Sequence, residues 1–165
     1  MNNAPSQNDD IESLLNHFLQ DIDSLVLATV NSAGEPEASY TPFVKHEGYY
    51  YIFVSELASH TRNLKHSNTA SILLMKLNPQ DHAHTRKRLS CHCATRSIER
   101  DEALYETVMQ LMQQQFGSLI ETLRSLSDFQ LFQLKPEKGN FVAGFGQAFE
   151  VDFQQGGKIR HRRPD

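Results

Sequence analysis

Apolar residues recur along this chain in two rhythms. Ile11, Leu14, Leu15, Phe18, Leu19 and Ile22 fall three or four positions apart, the spacing of one face of a helix. Asp9 or Asp10 is placed to cap that helix by accepting from its free backbone N–H groups. The rhythm then shortens to that of strands. Residues 25–30 form an apolar run, 37–44 and 49–54 follow, and Ser32-Ala33-Gly34-Glu35-Pro36 and Glu47-Gly48 read as turns between them. Residues 57–65 predict a short helix, and 70–77 and 88–98 predict strands on either side of a polar loop at 79–86. Asp101 is placed to cap a helix carrying Leu104, Val108, Leu111, Met112 and Phe116, and 118–126 predicts another. Residues 129–134 and 140–151 read as a final hairpin that turns at Lys138-Gly139.

About seven strands and three or four helices result. Loops of a few residues cannot make parallel crossovers, so the strands pair antiparallel. A sheet with that many strands closes to remove its edges. The expected class is α+β, an antiparallel β-barrel with flanking helices. Residues 1–153 form this domain with its N-terminal helix, and 154–165 form a flexible basic C-terminal tail.

Composition adjusts this picture little. The chain has 165 residues, 39% hydrophobic and 22% charged, which suits one globular core. A net charge of −4 opposes binding nucleic acid through a general positive field. No apolar run is long enough to cross a bilayer, and residues 1–10 lack the layout of a signal peptide. A cytoplasmic location is expected.

Several clusters carry candidate chemistry. In a strand, Cys91 and Cys93 share one face and His92 takes the other, so the three cannot readily hold one metal and read as two buried thiols and an outward imidazole. His82 and His84 lie in a polar loop without further ligands and read as exposed. Arg86-Lys87-Arg88 is either a solvated basic patch or an anion site, for which the planar arginine fork is suited. The tail places His161 among four cations, Lys158, Arg160, Arg162 and Arg163. It is either a frayed terminus or an arm that folds over an anionic ligand with His161 on a metal. Asp128, at the start of a strand, is either a surface cap or a partner that orients a histidine.

Leu27-Ala28-Thr29-Val30, Ala38-Ser39-Tyr40-Thr41-Pro42-Phe43-Val44 and His60-Thr61-Arg62-Asn63-Leu64 resemble the opening of the pyridoxamine 5'-phosphate oxidase-like (FMN-binding) split-barrel superfamily. Arg86-Lys87-Arg88-Leu89, Ser127-Asp128-Phe129, Leu134-Lys135-Pro136-Glu137-Lys138-Gly139 and, most specifically, Phe141-Val142-Ala143-Gly144-Phe145-Gly146-Gln147-Ala148-Phe149 resemble its haem-utilisation branch, the HutZ/HugZ-like proteins. The resemblance implies an antiparallel split β-barrel with flanking helices, and a homodimer that packs through its sheets, with two equivalent sites lined by both subunits. It implies haem as cofactor, with FMN as the alternative. It also implies oxygen-dependent haem degradation that releases iron and needs an external electron donor, or a haem carrier or storage role without turnover. By the same resemblance His161 is the axial ligand of the haem iron, Asp128 hydrogen-bonds that histidine across the dimer, Arg88 lies near the haem, and His60 lies near the site. Two departures from the family's pattern stand out. The stretch from Val151 to His161 is a few residues shorter, and Arg160 rather than Gly precedes His161.

Overall fold

A computed structural model describes residues 7–162. Residues 1–6 and 163–165 lie outside it, and with them the opening of the N-terminal segment and the tail cation Arg163. Among the described residues, nine strands and four α-helices follow in the order α1 (Gln7–Leu19), β1 (Ser24–Val30), β2 (Pro36–Pro42), β3 (Val44–His46), β4 (Tyr49–Ser55), α2 (Ser59–His66), β5 (Thr69–Met75), β6 (Arg88–Ile98), α3 (Ala103–Phe116), α4 (Leu119–Ser125), β7 (Phe129–Gly144), β8 (Gln147–Asp152) and β9 (Lys158–His161). None of these helices is long and apolar enough to cross a membrane.

All strand pairings are antiparallel, and the order is β2-β1-β5-β6-β7-β4-β3. The expected α+β class holds. β7 organises the sheet. One of its edges pairs with β6 along most of its length, while the other pairs first with β4 and then with β8, which carries β9. The barrel interior is filled from both ends of the chain. Leu25, Leu27, Ile52, Leu74, Leu89, Phe132, Leu134 and Phe141 form its centre. α1 closes one end with Leu15 and Phe18, and Phe18 lies 5.6 Å from Phe141, ring to ring. A second cluster lies outside the barrel, where Tyr51, Phe53 and Leu131 meet Tyr105, Val108, Met109 and Met112 of α3. β4 serves both clusters with alternate residues, which is why its sequence reads as a continuous apolar run rather than an alternating one.

Three expectations need correction. Lys138-Gly139 is not a turn: β7 runs through it without reversal, and the hairpin turns later, at Phe145-Gly146. A bulge shifts the β6–β7 register between His92 and Cys93, and Pro136 sits there, between the β4-paired and β8-paired halves of β7. A proline is tolerated at such an irregularity because its missing N–H interrupts no regular ladder. Gly139 is needed for close approach. A Cβ on it would lie 2.9 Å from both Cys91 Sγ and Ser90 O.

The capping assignments also move. α1 begins at Gln7, so Asp9 and Asp10 fall inside its first turn. α3 begins at Ala103 with Glu102, not Asp101, at its N-cap, and no side chain caps it. Glu102 turns instead to Arg96 and the backbone N–H of Glu99.

The flexible tail expected from residue 154 is in part ordered pairing. Asp152 Oδ1 accepts from Gln154 N and Gln155 N at 3.1 and 3.2 Å. Gly156 and Gly157, at φ of 72° and 82°, then reverse the chain so that Lys158–His161 pairs with β8. Ile159 turns inward and is buried, with Lys158 and Arg160 outward. The Gly-Gly pair that reads as a hinge is the tight reversal of a hairpin, since glycine adopts positive φ without Cβ strain.

Candidate functional site

Arg88 and His161 lie at one end of the barrel. Arg88 opens β6 and pairs with Met75 and Val142; Val142 pairs in turn with Ala148. The next row across the sheet runs Leu89, Phe141, Phe149, His161. His161 is therefore three strand spacings, about 14 Å, from the backbone of Leu89. Its ring is exposed and stands edge-on to Phe149, with centroids 5.0 Å apart. Arg88 is partly buried, and its Nη1 donates to Arg86 O at 3.1 Å. Arg162 N donates to Ala148 O at 2.8 Å, which brings a second arginine into the row of Arg88.

Asp128 and His60 lie at the other end. Asp128 stands immediately before β7, whose first residue, Phe129, pairs with Ser55 at the end of β4. Ser55 Oγ donates to Asp128 Oδ2 at 2.6 Å. The backbone of Ser55 leads into α2, which carries His60, and Thr61 Oγ1 donates to Ser55 O at 2.6 Å. His60 is half-buried, and this burial pushes its imidazole pKa below the usual value, favouring the neutral ring. The turn bearing Asp128 is clasped by Arg100, which donates to Arg124 O, Leu126 O and Phe129 O at 3.0, 2.8 and 3.4 Å. Two of those carbonyls close α4, so Arg100 also satisfies groups that a helix end leaves open. Sequence reading passed over Ser55 and Arg100. Their partners lie 73 and 24 or more residues away, and neither residue sits in a chemically suggestive cluster.

One chain thus places His161 and Arg88 toward one end of the sheet and Asp128 and His60 toward the other, without bringing His161 into contact with Arg88. The length of β7 separates them. From Phe129 to Phe141 the strand runs roughly 40 Å along its own path at about 3.3 Å per residue. A cleft of about 640 Å³ beneath α1, lined by Leu15, Leu19, Lys45, Tyr49 and Phe153 among others, contains none of the four.

The remaining candidates behave as their spacing implies. Cys91 and Cys93 are buried and unpaired, and His92 is exposed with Nδ1 3.0 Å from Ser71 Oγ. His82 and His84 are exposed and stack on each other at 5.1 Å. Among the described residues no group of three His, Cys, Asp or Glu side chains is placed to hold a metal ion.

Comparison with known proteins adds a family to this geometry. Residues 11–143 match the model of the family described as pyridoxamine 5'-phosphate oxidase. The chain is 39% identical over 142 residues to the heme oxygenase HutZ of Vibrio cholerae, covering 86% of this chain and 81% of that protein. The crystal structure of HutZ, described as the heme storage protein from Vibrio cholerae, superposes with a TM-score of 0.72 at 36% identity, over 76% of this chain and 89% of that one. The crystal structure of Campylobacter jejuni ChuZ superposes with a TM-score of 0.84 at 32% identity, over 96% of this chain. This chain spans only 64% of the ChuZ chain.

Proposed function

This chain belongs to the pyridoxamine 5'-phosphate oxidase family, and we propose that it is a haem-binding member that serves haem-iron utilisation by oxygen-dependent haem degradation. The observation that carries this reading is the identity shared with heme oxygenase HutZ across most of both chains.

The donor set suits haem. His161 presents an exposed imidazole, the common protein ligand of haem iron. Asp128 offers a carboxylate that would accept from the other ring nitrogen, fixing the tautomer and making the imidazole a stronger electron donor. Arg88 keeps guanidinium N–H groups beyond the one given to Arg86 O, and these match a propionate. His60 would line the same pocket as a neutral imidazole beside Asp128.

The separation of His161 from Asp128 along β7 supports a homodimer in which His161 comes from one copy and Asp128 from the other, giving two equivalent sites. The outward faces of β1 and β2 supply a surface for that second copy, since Val26, Val30 and Tyr40 are large, apolar and exposed on the single chain. Bound haem supplies the redox and oxygen chemistry, with electrons from an external donor. The protein's residues ligate, orient the ligand imidazole and pair the propionates. Cytoplasmic residence belongs to the same reading.

Hemin titration tests it. Stoichiometric hemin should give a Soret band, and His161→Ala should weaken or shift it; an unchanged spectrum in that variant removes His161 as the ligand. Ascorbate in air, with catalase present, should then bleach the band. The description of HutZ as a storage protein favours a second reading, a carrier without turnover, and a Soret band stable to reductant and oxygen would select it. A yellow protein that keeps bound flavin through the hemin titration would select the FMN alternative over both.

A further inference from the structure

Asp128 has two carboxylate oxygens, and the fold occupies one of them. Ser55 Oγ lies 2.6 Å from Oδ2, in the short range of an O–H donor to an ionised carboxylate. The same Oγ accepts from Leu57 N at 3.1 Å, so the hydroxyl uses its hydrogen on Asp128 and a lone pair on the backbone. Among the described residues no hydrogen bond is made to Oδ1.

Ser55 is itself held on several sides. It pairs with Phe129 at the end of β4, its carbonyl accepts from Thr61 Oγ1 at 2.6 Å and from Ala58 N at 3.2 Å, and Thr61 is fully buried. The neighbouring Glu56 N donates to Asp128 O at 2.8 Å, and Arg100 clasps the turn from the other side. Both the backbone and the side chain of Asp128 are therefore held by hydrogen-bonded neighbours, the side chain, among the described residues, by Ser55 alone.

An aspartate otherwise free to rotate about its side-chain bonds would present a carboxylate in several directions, and only some of them suit an incoming imidazole N–H. We propose that Ser55 is the positioning residue of the haem site, fixing the Asp128 carboxylate so that Oδ1 faces the imidazole of His161 from the second copy. This rests on the haem reading above.

Resonance Raman spectroscopy of the ferrous, hemin-loaded protein in the absence of air separates the two. The iron–imidazole stretching band reports how strongly the ligand's other nitrogen is hydrogen-bonded. Asp128→Asn should lower it. Ser55→Ala should move it in the same direction, Ser55→Thr should keep the wild-type value because it retains the hydroxyl, and the double variant should match Asp128→Asn alone. If Ser55→Ala fails to fold, as judged by circular dichroism, Ser55→Cys, a near-isosteric and weaker donor, should shift the band the same way. A wild-type band in the folded Ser55 variant, alongside a shifted band in Asp128→Asn, overturns the role of Ser55 and leaves the haem reading standing. An unshifted band in Asp128→Asn overturns the role of Asp128 and that of Ser55 with it.

Discussion

At the scale of residues, burial decides what the two thiols do. Cys91 and Cys93 are each 2% exposed, and the low-dielectric barrel interior disfavours their thiolates. Burial, helped by the Glu137 carboxylate, pushes Cys93 up to about 12, from an unfolded value near 9. The unfolded chain therefore releases this proton first. Below about pH 9 both states keep it and stability is unaffected; above that, the unfolded state binds fewer protons and stability falls until the folded thiol also ionises near 12. Urea midpoints should decline as pH rises from 9 to 11, and Cys93→Ala should show a shallower decline than the wild type. Cys91 and Cys93 were legible in the sequence because strand geometry alone puts i and i+2 on one face. Ser55 was not. Its importance comes from Asp128, 73 positions along the chain, and no local pattern marks a serine at the end of a strand.

At the scale of elements, legibility followed periodicity. The helical spacing from Ile11 to Leu19 and the strand of 88–98 emerge close to where their patterns place them, because burial of one face or one stripe imposes the period. β7 was misread as two strands for the opposite reason. Pro136 and Gly139 are turn residues by local preference, but here one sits at a bulge and the other makes room for Cys91. β9 was missed because four residues with one inward apolar side chain carry no readable period. That single side chain, Ile159, is packed inside and pairs with Val151, so it is the anchor of the element. Ile159→Asp should cost about 2 kcal/mol or more in urea unfolding, since it removes a buried aliphatic group and buries a charge. It should also weaken hemin binding to the degree of His161→Ala, because His161 lies two residues on in the same strand. Normal hemin affinity in a variant with that loss of stability would show that β9 need not be seated for binding.

At the scale of the molecule, the barrel class was open to sequence reading through its short hairpins, whereas the division of the candidate site was not, because it follows from which strands end up beside β7. If the site spans two chains, Asp128→Asn and His161→Ala are defective in different halves. Homodimers of either variant have no complete site. When the two are unfolded together and refolded as a mixture, about half of the dimers are mixed under random pairing, and each mixed dimer carries one intact site. In the hemin-loaded mixture about a quarter of the sites should show the wild-type iron–imidazole band, which neither variant shows alone. Absence of that band would place the whole site within one chain. The length of β7 also constrains how this protein can vary through descent. Inserting or deleting one residue between Phe129 and Phe141 would turn every later side chain to the opposite face and change the span between the paired groups. The loop from Leu77 to Lys87 adds no strand to the sheet, so length variation should accumulate there while β7 keeps its count.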